Sequence, residues 1–165
     1  LIPDMKGKKH DVETVMNGNP DVVNHNLETV PSLYTTARRG SLYKRSLQVL
    51  LDMKDIDPNR LTKTGVMVGL GETTEELVAM FKDIKESKVD ILTIGQYLKP
   101  DKHSLDVQKY YHPDEFDYLK KEAEKAGIRY VFSGPLVRSS YLAEHVFEDL
   151  LDGSNNGDKL YALSH

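Results

Sequence analysis

The chain contains no cysteine among its 165 residues. That absence excludes disulfides, thiolate zinc sites and any iron–sulfur cluster held in the ordinary way by the chain's own thiolates. The chain also lacks an apolar stretch approaching the ~20 residues that a membrane-spanning helix requires. It has no basic stripe either. The longest basic cluster, Lys6-Gly7-Lys8-Lys9, is the size of an ordinary solvated surface, and the formal net charge is -4, which argues against a nucleic-acid partner. Apolar residues are sparse at 39% and charged residues abundant at 29%. The apolar ones are clustered, so a packed core fits within a single domain of this length. No internal repeat is present. The first residue is Leu1 rather than Met, and Leu1-Ile2-Pro3-Asp4 reads as the end of a strand. A chain that opens in mid-strand is expected to have lost its native start, so the missing signal peptide carries little information.

What is present alternates short apolar runs with longer amphipathic stretches. A helix is expected from about Asp11 to the breaker Asn17-Gly18-Asn19-Pro20, and a strand from Val22 to near Asn26. Leu42, Leu47, Leu50 and Leu51 recur at helical spacing up to Met53. Gly65 to Leu70 is a continuous apolar run of the kind found in strands buried on both faces. Thr73-Thr74-Glu75-Glu76 starts a helix in the manner of a capping box. Ile91 to Gly95 is the next buried strand. Pro113 opens a helix that Gly127 closes. Tyr130 to Phe132 is a last strand and Ser139 to Leu151 a last helix, with a polar tail over 152–165 that is expected to fray. Strand–helix alternation of this kind specifies an α/β fold with a parallel sheet. Five strands, counting the one at Leu1-Ile2, make roughly half of a barrel whose full form takes ~250 residues. The domain is expected to cover residues 1–151. Such a half-barrel would leave an apolar interior and two bare edges.

Several residue groups could carry chemistry. In Gly65-Val66-Met67-Val68-Gly69-Leu70-Gly71-Glu72, glycines at the carboxyl end of a buried strand let a flat ligand approach the backbone. The same glycines also suit a plain strand-to-helix turn. Asn24-His25-Asn26-Leu27-Glu28 lies at the carboxyl end of its strand, where parallel barrels place their sites. There Asn26 and Glu28 can hydrogen-bond the two hydroxyls of a ribose, or simply form a turn and cap. His25 reads as a hydrogen-bonded structural histidine, because no second ligand falls at metal spacing. Arg38, in Arg38-Arg39-Gly40, can clamp a carboxylate bidentately or lie solvated. Gln96-Tyr97-Leu98-Lys99-Pro100 follows the strand at Ile91. Arg138-Ser139-Ser140-Tyr141 looks like a helix cap or an anion site. Lys63 is the strand lysine placed for a Schiff base, but nothing beside it in sequence would lower its pKa, which disfavours an aldolase-like barrel.

Taken in this order, these motifs resemble the C-terminal half of lipoyl synthase, a family of the radical S-adenosylmethionine (SAM) superfamily. The resemblance covers about residues 1–145. It implies a partial (β/α) barrel of the radical SAM type, about half of the full barrel. It implies that Asn26, Glu28, Arg38, Gly65, Gly69, Glu72 and the backbone at Leu98 contact SAM. Arg38 would meet the SAM carboxylate, although the family usually has Pro where Arg39 stands. The resemblance also implies that Ser140, with Ser139 as the alternate, is an oxygen ligand of an auxiliary [4Fe–4S] cluster in a full-length enzyme. No catalytic residue is assigned. The intact family uses SAM and two [4Fe–4S] clusters to insert two sulfur atoms into an octanoyl chain on a lipoyl-carrier domain or H protein. Without the cluster cysteines, this chain alone is expected to be inactive. The implied location is cytoplasmic, or mitochondrial or plastid in a eukaryote. The alternative is a non-catalytic half-barrel that complements a cysteine-bearing partner chain, such as the missing N-terminal half.

Overall fold

The computed structural model describes residues 1–138. The helix expected over 139–151, the tail from Asp152, and the site residues Ser139 and Ser140 lie outside the described residues. Four strands, β1 (Val22–Asn24), β2 (Leu61–Val68), β3 (Ile91–Gln96) and β4 (Tyr130–Gly134), form one sheet in the order β1-β2-β3-β4. All three pairings are parallel. The helices are α1 (Lys9–Asn17), α2 (Tyr34–Ala37), α3 (Tyr43–Ile56), α4 (Thr74–Glu86) and α5 (Pro113–Lys125). This is the α/β architecture expected, and it is consistent with part of a (β/α) barrel. Among the described residues no helix is long and apolar enough to cross a membrane.

The helix starts are written in local chemistry. Thr73 accepts from the Glu76 amide at 3.2 Å while Glu76 accepts from the Thr73 amide at 2.8 Å, so two orphan donors of α4 are satisfied reciprocally. His112 plays the same part for α5 ahead of Pro113, with Glu115 accepting from its amide at 3.0 Å. Gly127, at φ +96°, ends α5.

One sheet face is largely apolar, with Thr62 and Thr64 at its amino end. Val23, Val66, Val68, Leu92, Ile94 and Val131 pack in one cluster with Leu50 and Met53 of α3, Leu77 and Phe81 of α4, and Phe116 and Leu119 of α5. Alternation along the strands sends the neighbouring residues to the other face. There the register sets Asn24 beside Lys63, Gly65 beside Thr93, and Gly95 beside both Met67 and Gly134, with Ile91 and Phe132 nearby. The interior face is therefore mixed, with small and polar side chains at its carboxyl end, and not the apolar surface expected.

Two strand starts differ from the sequence reading. Leu1-Ile2 is not a strand; it keeps a single ladder-like bond, from the Ile2 amide to the Asn24 carbonyl at 2.8 Å. β2 begins at Leu61, four residues before the apolar run. Thr62, Lys63 and Thr64 look polar in sequence but are all buried.

Candidate functional site

The carboxyl ends of the strands carry a hollow of about 170 Å³. Its floor is Gly65, Met67, Thr93 and Gly95, and its rim is Asn26, Glu28, Gln96, Leu98 and Arg138. Parallel α/β sheets bind ligands at this end.

The β1 side is shaped by a bulge. Asn24 pairs with Lys63 and Glu28 bridges to Val66, so four steps along one chain match three along the other. Bulges re-aim side chains next to sites. Here the extra residue forces Glu28 into the left-handed region at φ +67°. A non-glycine residue held there is strained. Two backbone bonds hold it in place: the Glu28 amide donates to the Gly65 carbonyl at 3.0 Å, and the Met67 amide donates to the Glu28 carbonyl at 2.8 Å. The side chain of Asn26 donates to the Glu28 carboxylate at 3.1 Å. Asn26 is 7% exposed, and its Oδ1 has no hydrogen-bond partner. A buried unsatisfied acceptor costs about 1–3 kcal/mol and calls for an explanation. It faces the bare backbone of Gly65, where an added Cβ would stand 2.9 Å from that oxygen and 3.0 Å from Thr93 Oγ1. The pair is thus a set of acceptors bordering a strand with no side chain, suited to a donor-bearing group such as a vicinal diol.

His25 is 1% exposed. Its Nδ1 lies 2.9 Å from the Ile2 carbonyl, which only accepts, so the imidazole donates from Nδ1 and leaves Nε2 as a buried acceptor without a partner. Burial pushes its pKa below the ordinary value of 6.5; the Ile2 hydrogen bond opposes that shift and the Arg38 cation adds to it. A lowered folded value means that the folded chain resists a proton that the unfolded chain accepts. Stability from this group is full above 6.5 and is lost as pH falls from there through the folded value. Urea midpoints measured between pH 7.5 and 5.5 are expected to fall on acidification, and to fall less in His25→Gln. Equal slopes in the two proteins would place the effect elsewhere.

The β2–α4 turn is held by Glu72. Its carboxylate accepts from the amides of Gly69 at 2.6 Å and Leu70 at 2.9 Å, and from the Tyr111 hydroxyl at 3.0 Å. Burial, and then the Glu72 charge, raise the Tyr111 pKa, so the phenol remains a donor. Gln96 is the second clamp. It donates to the carbonyls of Tyr97 and Lys109, each at 3.0 Å, and accepts from the Tyr111 amide at 3.0 Å. Glu72 and Gly69 therefore shape the turn without lining the hollow.

Arg38 also stands outside the lining. Its Nη1 donates to the Leu27 carbonyl at 3.3 Å, to the Tyr34 hydroxyl at 3.0 Å and to Ser46 Oγ at 3.2 Å. Its guanidinium sits 5.6 Å from the Tyr34 ring centroid. The arginine on the rim is Arg138, whose Nη1 donates to the carbonyls of Gln96 at 3.4 Å and Val137 at 3.0 Å. Of the expected residues, the structure brings together Asn26, Glu28, Gly65 and Leu98; Gly69, Glu72 and Arg38 lie around them. Sequence reasoning missed Thr93, Gln96 and Arg138 as lining residues. Gln96 and Arg138 stood inside motifs that had been singled out, but nothing in their spacing showed that the two motifs meet. Among the described residues, no group of three His, Asp or Glu side chains is placed to hold a metal ion.

The chain is 53% identical over 143 residues to a lipoyl synthase of Koribacter versatilis, in a match covering 87% of this chain and 47% of that protein. It is 50% identical over 154 residues to a lipoyl synthase of Rubrobacter xylanophilus, covering 93% and 48%. It is 47% identical over 148 residues to a lipoyl synthase of Alkaliphilus metalliredigens, covering 90% and 51%. The chain spans about half the length of the curated relatives it matches. No protein-family model matches it.

Proposed function

The chain belongs to the lipoyl synthase family, and we propose on that footing that it supplies the wall of a radical SAM barrel on which the nucleoside part of SAM rests. The observation that carries this reading is the Asn26–Glu28 acceptor pair, with its unpartnered buried Oδ1, set against the bare strand at Gly65. The two ribose hydroxyls donate to Asn26 and Glu28. The adenine lies over Gly65 and along the backbone at Leu98. Gly69 and Glu72 keep the neighbouring turn in shape. Arg38, whose hydrogen bonds run through Nη1, offers its remaining guanidinium nitrogens to the SAM carboxylate. A complete small-molecule pocket occupies ~300–1,000 Å³, so the hollow is one side of a pocket that needs further walls.

In the whole enzyme, bound SAM would supply the radical chemistry by which two sulfur atoms are inserted into an octanoyl chain on a lipoyl-carrier domain or H protein. Ser140, or Ser139 in its place, would hold the auxiliary cluster there through its oxygen. The described residues do not fit a cysteine-held cluster, because the sequence contains no cysteine. The isolated chain is therefore inactive in sulfur insertion. The same lack of cysteine favours, as a second reading, a half-barrel that completes a cysteine-bearing partner chain.

Calorimetry with SAM tests the proposal. The unaltered chain is expected to bind it, and Glu28→Gln is expected to bind about 10- to 100-fold more weakly, the range for a hydrogen bond to a charged group. No heat with millimolar SAM overturns the reading that this wall binds SAM without the others, and equal affinity in the variant overturns the ribose assignment. Anaerobic treatment with iron and sulfide is expected to leave no stoichiometric cluster by iron analysis and visible absorption.

A further inference from the structure

We infer that Gly95 is a positioning residue: its missing side chain leaves a notch that seats Val137 across the end of β3 and so fixes Arg138 on the rim of the hollow. The inference rests on the reading of that hollow as a SAM site.

Gly95 of β3 and Gly134 of β4 are register partners at the carboxyl ends of adjacent strands. A Cβ on Gly95 would fall far inside contact distance of the Val137 carbonyl oxygen. The obstruction is backbone, which cannot swing aside as the end of a side chain can. A Cβ on Gly134 would meet only Val137 Cγ2, at 3.4 Å. The chain turns back after Gly134 through a bond from the Val137 amide to the Gly134 carbonyl at 3.1 Å. Val137 is left 9% exposed. Arg138 then reaches over β3 to the Gln96 carbonyl at 3.4 Å. Two glycines side by side would ordinarily weaken a sheet. Here only one of them is required by the return of the chain.

The test compares alanine at the two glycines in the full chain, with amide exchange at Val137 and SAM affinity as separate readouts. Gly95→Ala is expected to speed exchange at Val137 by about tenfold or more and to weaken SAM binding by a similar factor. Gly134→Ala is expected to leave both close to the unaltered values. Should Gly95→Ala fail to fold, Arg138→Gln removes the reach to Gln96 without any clash. It must then raise Val137 exchange and lower affinity on its own, and Arg138→Lys must restore part of the affinity. If the unaltered chain does not bind SAM, the SAM reading fails, and the functional role of the notch fails with it. If the unaltered chain binds SAM but Gly95→Ala binds equally well with unchanged exchange, the notch alone is overturned.

Discussion

Gly69→Ala is expected to lower stability by about 3–4 kcal/mol, which for a domain of this size moves the melting midpoint by on the order of 10 °C. Two causes add. Gly69 sits at φ +104°, where a residue with a Cβ is strained by about 1–3 kcal/mol. The added Cβ would also run into the Lys109 carbonyl and the Gln96 amide, both far inside contact distance. Neither can yield cheaply. Lys109 lies in the segment that the Gly69 carbonyl anchors by accepting from the Gln108 amide at 2.8 Å, and the Gln96 amide is committed to the Tyr97 and Lys109 carbonyls. The strain is therefore passed into the segment that follows β3, whose position depends on Gln96 and on the Tyr111 contact to Glu72. Thermal melting and urea titration of the two proteins decide the matter. A loss below about 1 kcal/mol would mean that the segment relaxes freely and that Gly69 is not the keystone of that turn.

How far this was legible beforehand depends on whether each signal was local. The capping box at Thr73 and Glu76, the proline at the start of α5 and the glycine at its end are short-range chemistry, and each marks a helix boundary that the structure has. β3 reads as buried because every residue in it is buried, and its apolar run says so. The first half of β2 was not legible. Thr62 and Thr64 are buried because groups distant in sequence complete their hydrogen bonds: the Thr62 hydroxyl donates to Asp90, and Thr64 Oγ1 accepts from the Leu27 amide. The short α2 was also missed, since Tyr34 to Ala37 has too few residues to show a period. Within the site, the ends of strands were readable because parallel sheets place ligands there. What could not be read was contact between segments: that Glu72 turns back on the amides of its own loop, that Arg38 engages three acceptors outside the hollow, and that the turn after β4 brings Arg138 to the rim. Those facts follow from register and from the room left by glycines, which no spacing within one segment reveals.

At the opposite end of the sheet, Asp90→Ala is expected to cost about 3–5 kcal/mol, the range for breaking one partner of a buried ion pair. Asp90 Oδ2 is a hub. It lies 2.6 Å from Lys54 Nζ and accepts from the Thr62 amide at 2.8 Å and the Thr62 hydroxyl at 3.2 Å. Lys54 also donates to the carbonyls of Pro58 at 3.2 Å and Arg60 at 2.7 Å, so one ammonium ties the end of α3 to the start of both β2 and β3. The two side chains are 8% and 17% exposed, which removes most solvent screening. Alanine at 90 leaves that ammonium without its counter-charge and leaves the Thr62 amide without its acceptor. Lys54→Met is expected to cost less, because the carboxylate keeps both bonds from Thr62 and the methionine fills the stem's space. The double variant should cost less than the sum of the single ones, since an uncompensated charge is the main penalty in each. The pair lies three strand residues, ~10 Å, from Thr93 at the near edge of the hollow and contacts none of its lining, so SAM affinity should be unchanged in whichever variants remain folded. Urea unfolding of the four proteins, with calorimetry at a temperature where all are folded, measures both quantities. Additive losses would show that Lys54 and Asp90 contribute independently. A fall in SAM affinity would show that this end of the sheet is coupled to the site, against the division of the barrel into a stabilising end and a binding end.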